Sequence, residues 1–469
     1  MHKFILSLVA IFVFTSCQSQ SNHNCPFPYD NHQPEDKCGF LEVPRNWDTN
    51  SSETTKLGYL VIRSKSENRK EDPVIFLQGG PGGSVLNLAN IFSQLNIDRD
   101  RDFILYDQRG IDFSEELCPD LNLQLLEVMA LDLNIDEEIT ELKKRVISCT
   151  NYIKTDDRQF STITNVKDLE ALRKHLGYKQ LNLFGGSYGT RLGLKYMEHY
   201  PNQVRTAVLS SLFPPDIRMY DNLFSNFNNA LDKVFTDCAK DSNCNANYPN
   251  LKSEFLSFCD ELKSNPITIE INGDDFILNQ QDVLLFMHQM LYNNQTIERI
   301  PEFIEALKEK NTSYITRTIV GFIPRVTILN LAVYYAVMTA DEGGFNNQDK
   351  VNLDTTNLMF TDTSLSIFSA DPEIIKSWPS VNVKSNPMNT VTSDIPTLLI
   401  SGDFDPVTPI NNGNVVAKRL SNNQHIVFKN NGHVPINSCF FNLAKQFLNN
   451  PDEKLKSQCH NTVTKIRWN

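Results

Sequence analysis

Leu183-Phe184-Gly185-Gly186-Ser187-Tyr188-Gly189-Thr190 is the stretch whose reading decides the fold. An apolar strand, Leu181 to Phe184, runs into a G-x-S-x-G turn, and a helical segment, Thr190 to His199, follows. Such a turn holds its serine in strained backbone geometry with neighbours close on both sides, and only glycine at 185 and 189 leaves the room required. It also aims the N-terminus of the following helix at any oxyanion that develops beside the serine, with the Tyr188 N–H as one donor. Ser187 is therefore the candidate nucleophile.

Working outward, short and nearly continuous apolar runs mark further strands: Leu57 to Ile62, Pro73 to Leu77, Asp102 to Tyr106 and Arg205 to Leu209. Runs of this kind suit strands buried on both faces, as in a parallel sheet. Between two of them Val166 to His175 has helical spacing, with Gly177 as its stop. Strand and helix in alternation imply an α/β fold with a doubly wound, mostly parallel sheet. The alternation lapses over residues 216–390, where amphipathic helices are expected at Asp221 to Cys238, Gln281 to Tyr292 and Val326 to Ala340. Strands return at Thr397 to Ser401 and Gln424 to Phe428. The expected order is core over 36–215, a large helical cap inserted late in the sheet over 216–390, and core again over 391–469. The cap would lie over the carboxyl end of the sheet, where such folds place their sites.

A serine hydroxyl needs a positioned base. Most of the nine histidines fall in the leader, the N-terminal stretch, helices, a strand or the tail. His433 alone stands in a loop directly after the last strand, in Asn430-Asn431-Gly432-His433-Val434-Pro435. It also completes the chain order Ser, Asp, His. The orienting acid belongs in the loop after the preceding strand, Ser401-Gly402-Asp403-Phe404-Asp405-Pro406, where Asp403 and Asp405 both qualify. A second oxyanion donor is expected from Gln78-Gly79-Gly80-Pro81-Gly82-Gly83, which follows an early strand, with Gly80 ahead of Gly79. That loop lacks the Lys and Ser/Thr of a phosphate-binding P-loop.

The ends and the composition bound the setting. Lys3 precedes an apolar run, Phe4 to Phe14, too short to span a bilayer comfortably, and Thr15-Ser16-Cys17 follows. Small residues before a cysteine at this place resemble the cleavage box of bacterial lipoproteins. Residues 1–17 then read as a leader ending at a lipidated Cys17, and 18–35 as a polar tether. An ordinary signal peptide is the alternative, and both readings export the chain. Export makes the remaining cysteines readable as disulfides: Cys25–Cys38, Cys118–Cys149, Cys238–Cys244 and Cys439–Cys459, with Cys259 free. None stands at metal-site spacing beside histidines, so no metal is expected. A net charge of −12 argues against nucleic acid as a partner.

Taken together, Gly79-Gly80-Pro81-Gly82, Asp107-Gln108-Arg109-Gly110, Gly185-Gly186-Ser187-Tyr188-Gly189-Thr190 and the Asp405 and His433 loops resemble the proline iminopeptidase family of serine peptidases, which have the α/β-hydrolase fold. The fit is closest to its secreted, tripeptidyl aminopeptidase-like branch, and Gln78 stands where the cytoplasmic members have histidine. The resemblance implies Asp405 as the acid, three residues beyond Gly402, and a cofactor-free peptidase that removes short N-terminal units from peptides with a free N-terminus. It also implies a cap carboxylate for the substrate's ammonium group, for which Val337-Met338-Thr339-Ala340-Asp341-Glu342 is the best match, Asp341 first and Glu342 beside it. Two rivals remain: an esterase or lipase on the same triad, and a binding lipoprotein without catalysis.

Overall fold

The computed structural model describes residues 25–150, 160–343, 350, 354, 359–360, 364–378, 389–456, 459 and 466–468. The expected leader and Cys17 lie outside the described residues. Eight strands form one sheet: β1 (Lys37–Pro44), β2 (Thr54–Ile62), β3 (Lys70–Leu77), β4 (Arg101–Tyr106), β5 (Leu181–Gly186) and β6 (Val204–Ser210), joined after a separate hairpin by β9 (Thr397–Gly402) and β10 (Asn423–Phe428). Their order in space is β1-β2-β4-β3-β5-β6-β9-β10. The first two pairings are antiparallel and all the others parallel. Every residue of β4 and β5 is buried, including the polar Arg101, Asp102 and Asn182, which are held by hydrogen bonds and ion pairs.

The winding direction reverses between β3 and β5, which pair from Val74↔Asn182 to Leu77↔Gly185. At such a switch point the loops leaving the two strands diverge to opposite faces and open a crevice. Here those loops are Gln78–Gly83 and the Ser187 turn. One face of the sheet packs a cluster that includes Phe76, Phe184, Phe440 and Leu443. The other face packs Leu183, Leu192 and Leu209 in a core that continues into the cap. The helix Thr162–Leu176 begins at Ser161, whose side chain accepts the Thr164 N–H, and ends at Gly177 in the left-handed region at φ 79°.

All four expected disulfides are present, and Cys259 is free and buried. The tether assignment needs correction from residue 25 onward. Cys25 is bonded to Cys38, and Phe27 is buried edge-on between Phe40 and Phe113 at ring distances of 5.5 and 5.0 Å. A covalent bond and an aromatic anchor therefore fix to the sheet a stretch read as polar spacer.

The cap between β6 and β9 includes the helices Leu223–Lys240, Gln280–Met290 and Leu331–Glu342. It also holds a hairpin that the helical reading missed, β7 (Ile267–Ile271) and β8 (Asp274–Leu278). Ile267, Ile269 and Ile271 face inward while Thr268 and Glu270 face out. Asn272 and Gly273 turn the chain at φ 55° and 90°, the conformation a two-residue hairpin demands. The single helix expected over Val326 to Ala340 is two. Ile323–Thr327 stops, Leu329 bridges to Gly83, and a new helix starts where the Asn330 side chain accepts the Val333 N–H. That break puts the cap in contact with the glycine loop after β3.

Candidate active site

Ser187 occupies the turn between β5 and the helix Tyr188–His199 at φ 54°, ψ −124°, a conformation L-residues rarely adopt. Its N–H donates to the Ser210 carbonyl at 3.0 Å, which ties the turn to the end of β6. The flanking glycines are obligatory. A Cβ on Gly189 would lie 1.9 Å from the Leu77 carbonyl oxygen, and one on Gly185 would lie 2.7 Å from the Gly189 carbonyl oxygen.

The glycine loop approaches the serine from β3. A Cβ on Gly79 would stand 3.1 Å from the Ser187 Cβ and 3.7 Å from its Oγ. The Gly79 N–H is taken by the Gln78 side-chain oxygen at 2.9 Å. The Gly80 N–H meets no protein acceptor among the described residues. Tyr188, as the first helical residue, has an N–H without an intrahelical partner. Among the described residues these two amides are left without an acceptor.

His433 and Asp405 form a sealed pair. Nδ1 of the imidazole is 2.8 Å from Asp405 Oδ2, with side-chain exposures of 5% and 0%. Asp405 Oδ1 accepts the N–H groups of Val407 and Thr408 at 2.9 and 2.8 Å, and Oδ2 accepts the Thr408 hydroxyl at 2.7 Å. Burial alone would raise this carboxyl, but the imidazole and the Thr408 donors outweigh it and hold it below its usual range. Asp403 is directed elsewhere. It accepts the Asn431 N–H at 3.3 Å and faces Lys233 at 3.7 Å, so it braces the loop turn. The His433 loop lies over the serine turn. A Cβ on Gly186 would touch Val434 at 3.2 Å, and the Val434 N–H donates to Ser211 Oγ at 2.7 Å. The Tyr292 ring packs edge-on against the imidazole at 4.8 Å.

The expected cap carboxylates are not open to a substrate. Asp341 is fully buried, with Oδ1 accepting the Thr162 N–H at 3.1 Å and Oδ2 its hydroxyl at 2.5 Å. Glu342 is equally buried, paired with Arg191 at 2.8 Å and accepting the Met219 N–H at 3.1 Å. Both are engaged by donors from within the protein, Asp341 by Thr162 and Glu342 by Arg191 and Met219, and the structure does not present them to a substrate's ammonium group.

Asp341 instead anchors a hydrogen-bond chain that sequence reasoning missed. Thr162 Oγ1 is 2.9 Å from the Tyr188 hydroxyl, and Asn165 Nδ2 reaches that hydroxyl at 3.1 Å and Gln108 Oε1 at 2.9 Å. Gln108 then donates to the Gln78 carbonyl at 3.3 Å. The chain joins the glycine loop and the Ser187 turn to the cap. Thr408, three residues after Asp405, was legible as a loop hydroxyl but carried no motif.

Above the glycine loop the cap encloses a cavity of about 70 Å³, lined by residues that include Leu329, Phe368, Tyr334, Tyr335, Arg325 and Asp371. Leu329 presses on the glycine loop, its Cδ2 being 2.9 Å from where a Gly80 Cβ would stand. Among the described residues one group has metal-ligand geometry, Cys25, His32 and Cys38, and its two thiols are joined as a disulfide.

The chain matches the family described as alpha/beta hydrolase fold over residues 72–436. The YuaR protein of Escherichia coli (strain K12) is 23% identical over 428 residues, 84% of this chain and 81% of that protein. The serine protease Hip1 of Mycobacterium tuberculosis is 28% identical over 221 residues, covering 44% of this chain and 42% of Hip1. The tripeptidyl aminopeptidase of Streptomyces coelicolor is 27% identical over 192 residues, covering 38% and 35%. The alignments with these two peptidases thus span less than half of their length.

Proposed function

The chain belongs to the alpha/beta hydrolase family, and from that premise we propose that it is an exported serine exopeptidase releasing short N-terminal units from peptides. The observation that carries the reading is the buried 2.8 Å contact between His433 Nδ1 and Asp405, set under a loop that touches the Ser187 turn. With Nδ1 engaged by the carboxylate, Nε2 is the nitrogen left to take the serine proton. Ser187 Oγ attacks the scissile carbonyl, and His433 receives its proton and returns it to the leaving amine. Asp405 fixes the tautomer and stabilises the imidazolium. The N–H groups of Tyr188 and Gly80 hold the oxyanion, with Gly79 shaping the approach. Water then releases the acyl-enzyme, and no step needs a cofactor.

The relatives named as peptidases, both matched at low identity, support peptide over ester as the substrate. Four disulfides support an oxidising compartment. A lipid on Cys17 would hold the enzyme at a membrane surface. Aminoacyl and tripeptidyl anilides should be turned over alongside simple esters, and N-acetylation should abolish the anilide activity. Hydrolysis of esters alone would sink the peptidase reading. Ser187→Ala should lower turnover by about five to six orders of magnitude and end labelling by a fluorophosphonate probe. Residual activity of a few per cent would remove Ser187 from the mechanism.

A further inference from the structure

The described residues contain three buried arginines, and each faces a carboxylate: Arg101 with Asp98 and Asp72, Arg109 with Asp168, and Arg191 with Glu342. This is the normal price of taking a guanidinium out of water. Arg325, mostly enclosed in the cap, departs from the pattern. Its Nη1 donates to the Gln289 carbonyl at 3.3 Å, and its guanidinium lies over the Tyr292 ring at 4.4 Å. No carboxylate among the described residues comes within 4.0 Å of it. Burial pulls its pKa down, and the Tyr292 hydroxyl opposes that.

The position of this cation matters. The Tyr292 ring on which Arg325 stacks is the one packed on His433 at 4.8 Å. Arg325 also lines the 70 Å³ cavity whose opposite contact, through Leu329, is the Gly80 loop. The carboxyl on that cavity, Asp371, is turned to the hydroxyls of Tyr220 and Tyr334 at 2.9 and 2.8 Å. A largely enclosed fork of donors, with no carboxylate partner among the described residues, lines this cavity next to the Tyr292 ring that packs on His433, and it is complementary to a carboxylate.

We propose that Arg325 determines specificity by binding a carboxylate of the substrate next to the scissile bond. The inference rests on the peptidase reading for the kind of substrate, and the carboxylate has two possible sources: an acidic side chain, or the free C-terminus of a short leaving fragment.

Matched substrates separate the sources. One arm compares N-terminally free peptide anilides ending in Asp or Glu with those ending in Asn or Gln. The other compares short peptides bearing a free C-terminal carboxylate with their carboxamides. Wild type should favour the acid over the amide by about ten- to a hundredfold in kcat/KM in one arm, the range expected of a charge-assisted hydrogen bond. In Arg325→Met that ratio should collapse towards one, and in Arg325→Lys, which keeps the charge and guards against a variant that fails to fold, it should be intermediate. Equal turnover of acid and amide by wild type in both arms overturns the proposal, as does a ratio that survives in Arg325→Met. If only esters are cleaved, the peptidase reading falls by itself. The same ratio is then read on hemisuccinate against methyl succinate esters, and its absence there, or its survival in Arg325→Met, overturns the proposal in turn.

Discussion

Asp405, below the loops at the end of the sheet, and Asp371, inside the cap, are both nearly sealed from solvent at 4% and 1% exposure. Their carboxyls are driven in opposite directions. Burial raises each, but around Asp405 it is overcome by the imidazole, two backbone N–H groups and the Thr408 hydroxyl. Around Asp371 only tyrosine hydroxyls oppose it, and the carboxyl is pushed up to about 7. The lesson is that burial does not decide the charge of a carboxylate. A partner able to carry positive charge, with amides fixed by the loop itself, keeps Asp405 ionised, and neutral donors supplied by side chains do not do the same for Asp371. The surroundings of Asp405 are built to keep its charge, and those of Asp371 are not.

The harshest way to break this comparison is to neutralise Asp405. Asp405→Asn preserves shape but places an amide beside His433 Nδ1, which favours the wrong tautomer and leaves a forming imidazolium without its counter-charge. A fall of about 10⁴ in kcat is expected, with the folded structure retained. Steady-state turnover on an anilide checks it. A loss under about tenfold would show that the charge at 405 is dispensable, and the contrast with Asp371 would lose its functional meaning.

Neutralising Asp371 should do the opposite. Its folded pKa of about 7 lies above the ordinary carboxyl value of 3.8, so the folded state holds the proton more tightly than the unfolded chain. The carboxyl therefore costs nothing below about pH 4, costs progressively more as pH rises to 7, and its full cost is present above that. Three units correspond to up to ~4 kcal/mol. Asp371→Asn, which can still accept from the tyrosines, should match wild type near pH 4 and exceed it in thermal midpoint from pH 7 upward. A constant difference between the two across pH 4–8 would show that Asp371 does not titrate as described.

The sheet end was legible in the sequence and the cap largely was not, for a physical reason. The serine turn, the glycine loop and the His433 loop each follow directly from a strand, and their chemistry depends on backbone shape that glycine spacing announces. Asp403 and Asp405 were indistinguishable by position alone; the fold directs the first to Lys233 and the second to His433. In the cap the determining contacts join residues far apart in the chain. Thr162 meets Asp341 across 179 positions and Arg191 meets Glu342 across 151. An acidic pair at a helix end looks the same whether it faces a substrate or an arginine. The hairpin at Asn272-Gly273 and the helix break at Asn330 did leave signals, an alternating apolar run with its turn dipeptide and a capping residue, which the helical periodicity around them obscured.

Asp341 stands between the two extremes and gives the finest test. It has amide and hydroxyl donors from Thr162 and the charge of Arg191 nearby, yet burial still raises its carboxyl. Its hydroxyl donor is the one that meets the Tyr188 hydroxyl, and under the proposed mechanism, in which the Tyr188 N–H is an oxyanion donor, Asp341 would be a positioning residue acting through Thr162. Asp341→Asn weakens one charge-assisted bond, a change of about 1 kcal/mol, and kcat/KM should fall less than tenfold. The form of that loss separates the two roles. Positioning lowers turnover of an amine-bearing anilide and of an N-blocked ester in the same proportion. Recognition of the substrate's ammonium group would raise KM for the anilide alone and spare the ester. A selective loss would therefore return Asp341 to the role the sequence suggested and require the cap to open around it, whereas a shared loss makes the buried chain from Asp341 to Tyr188 part of how the cap sets the oxyanion site.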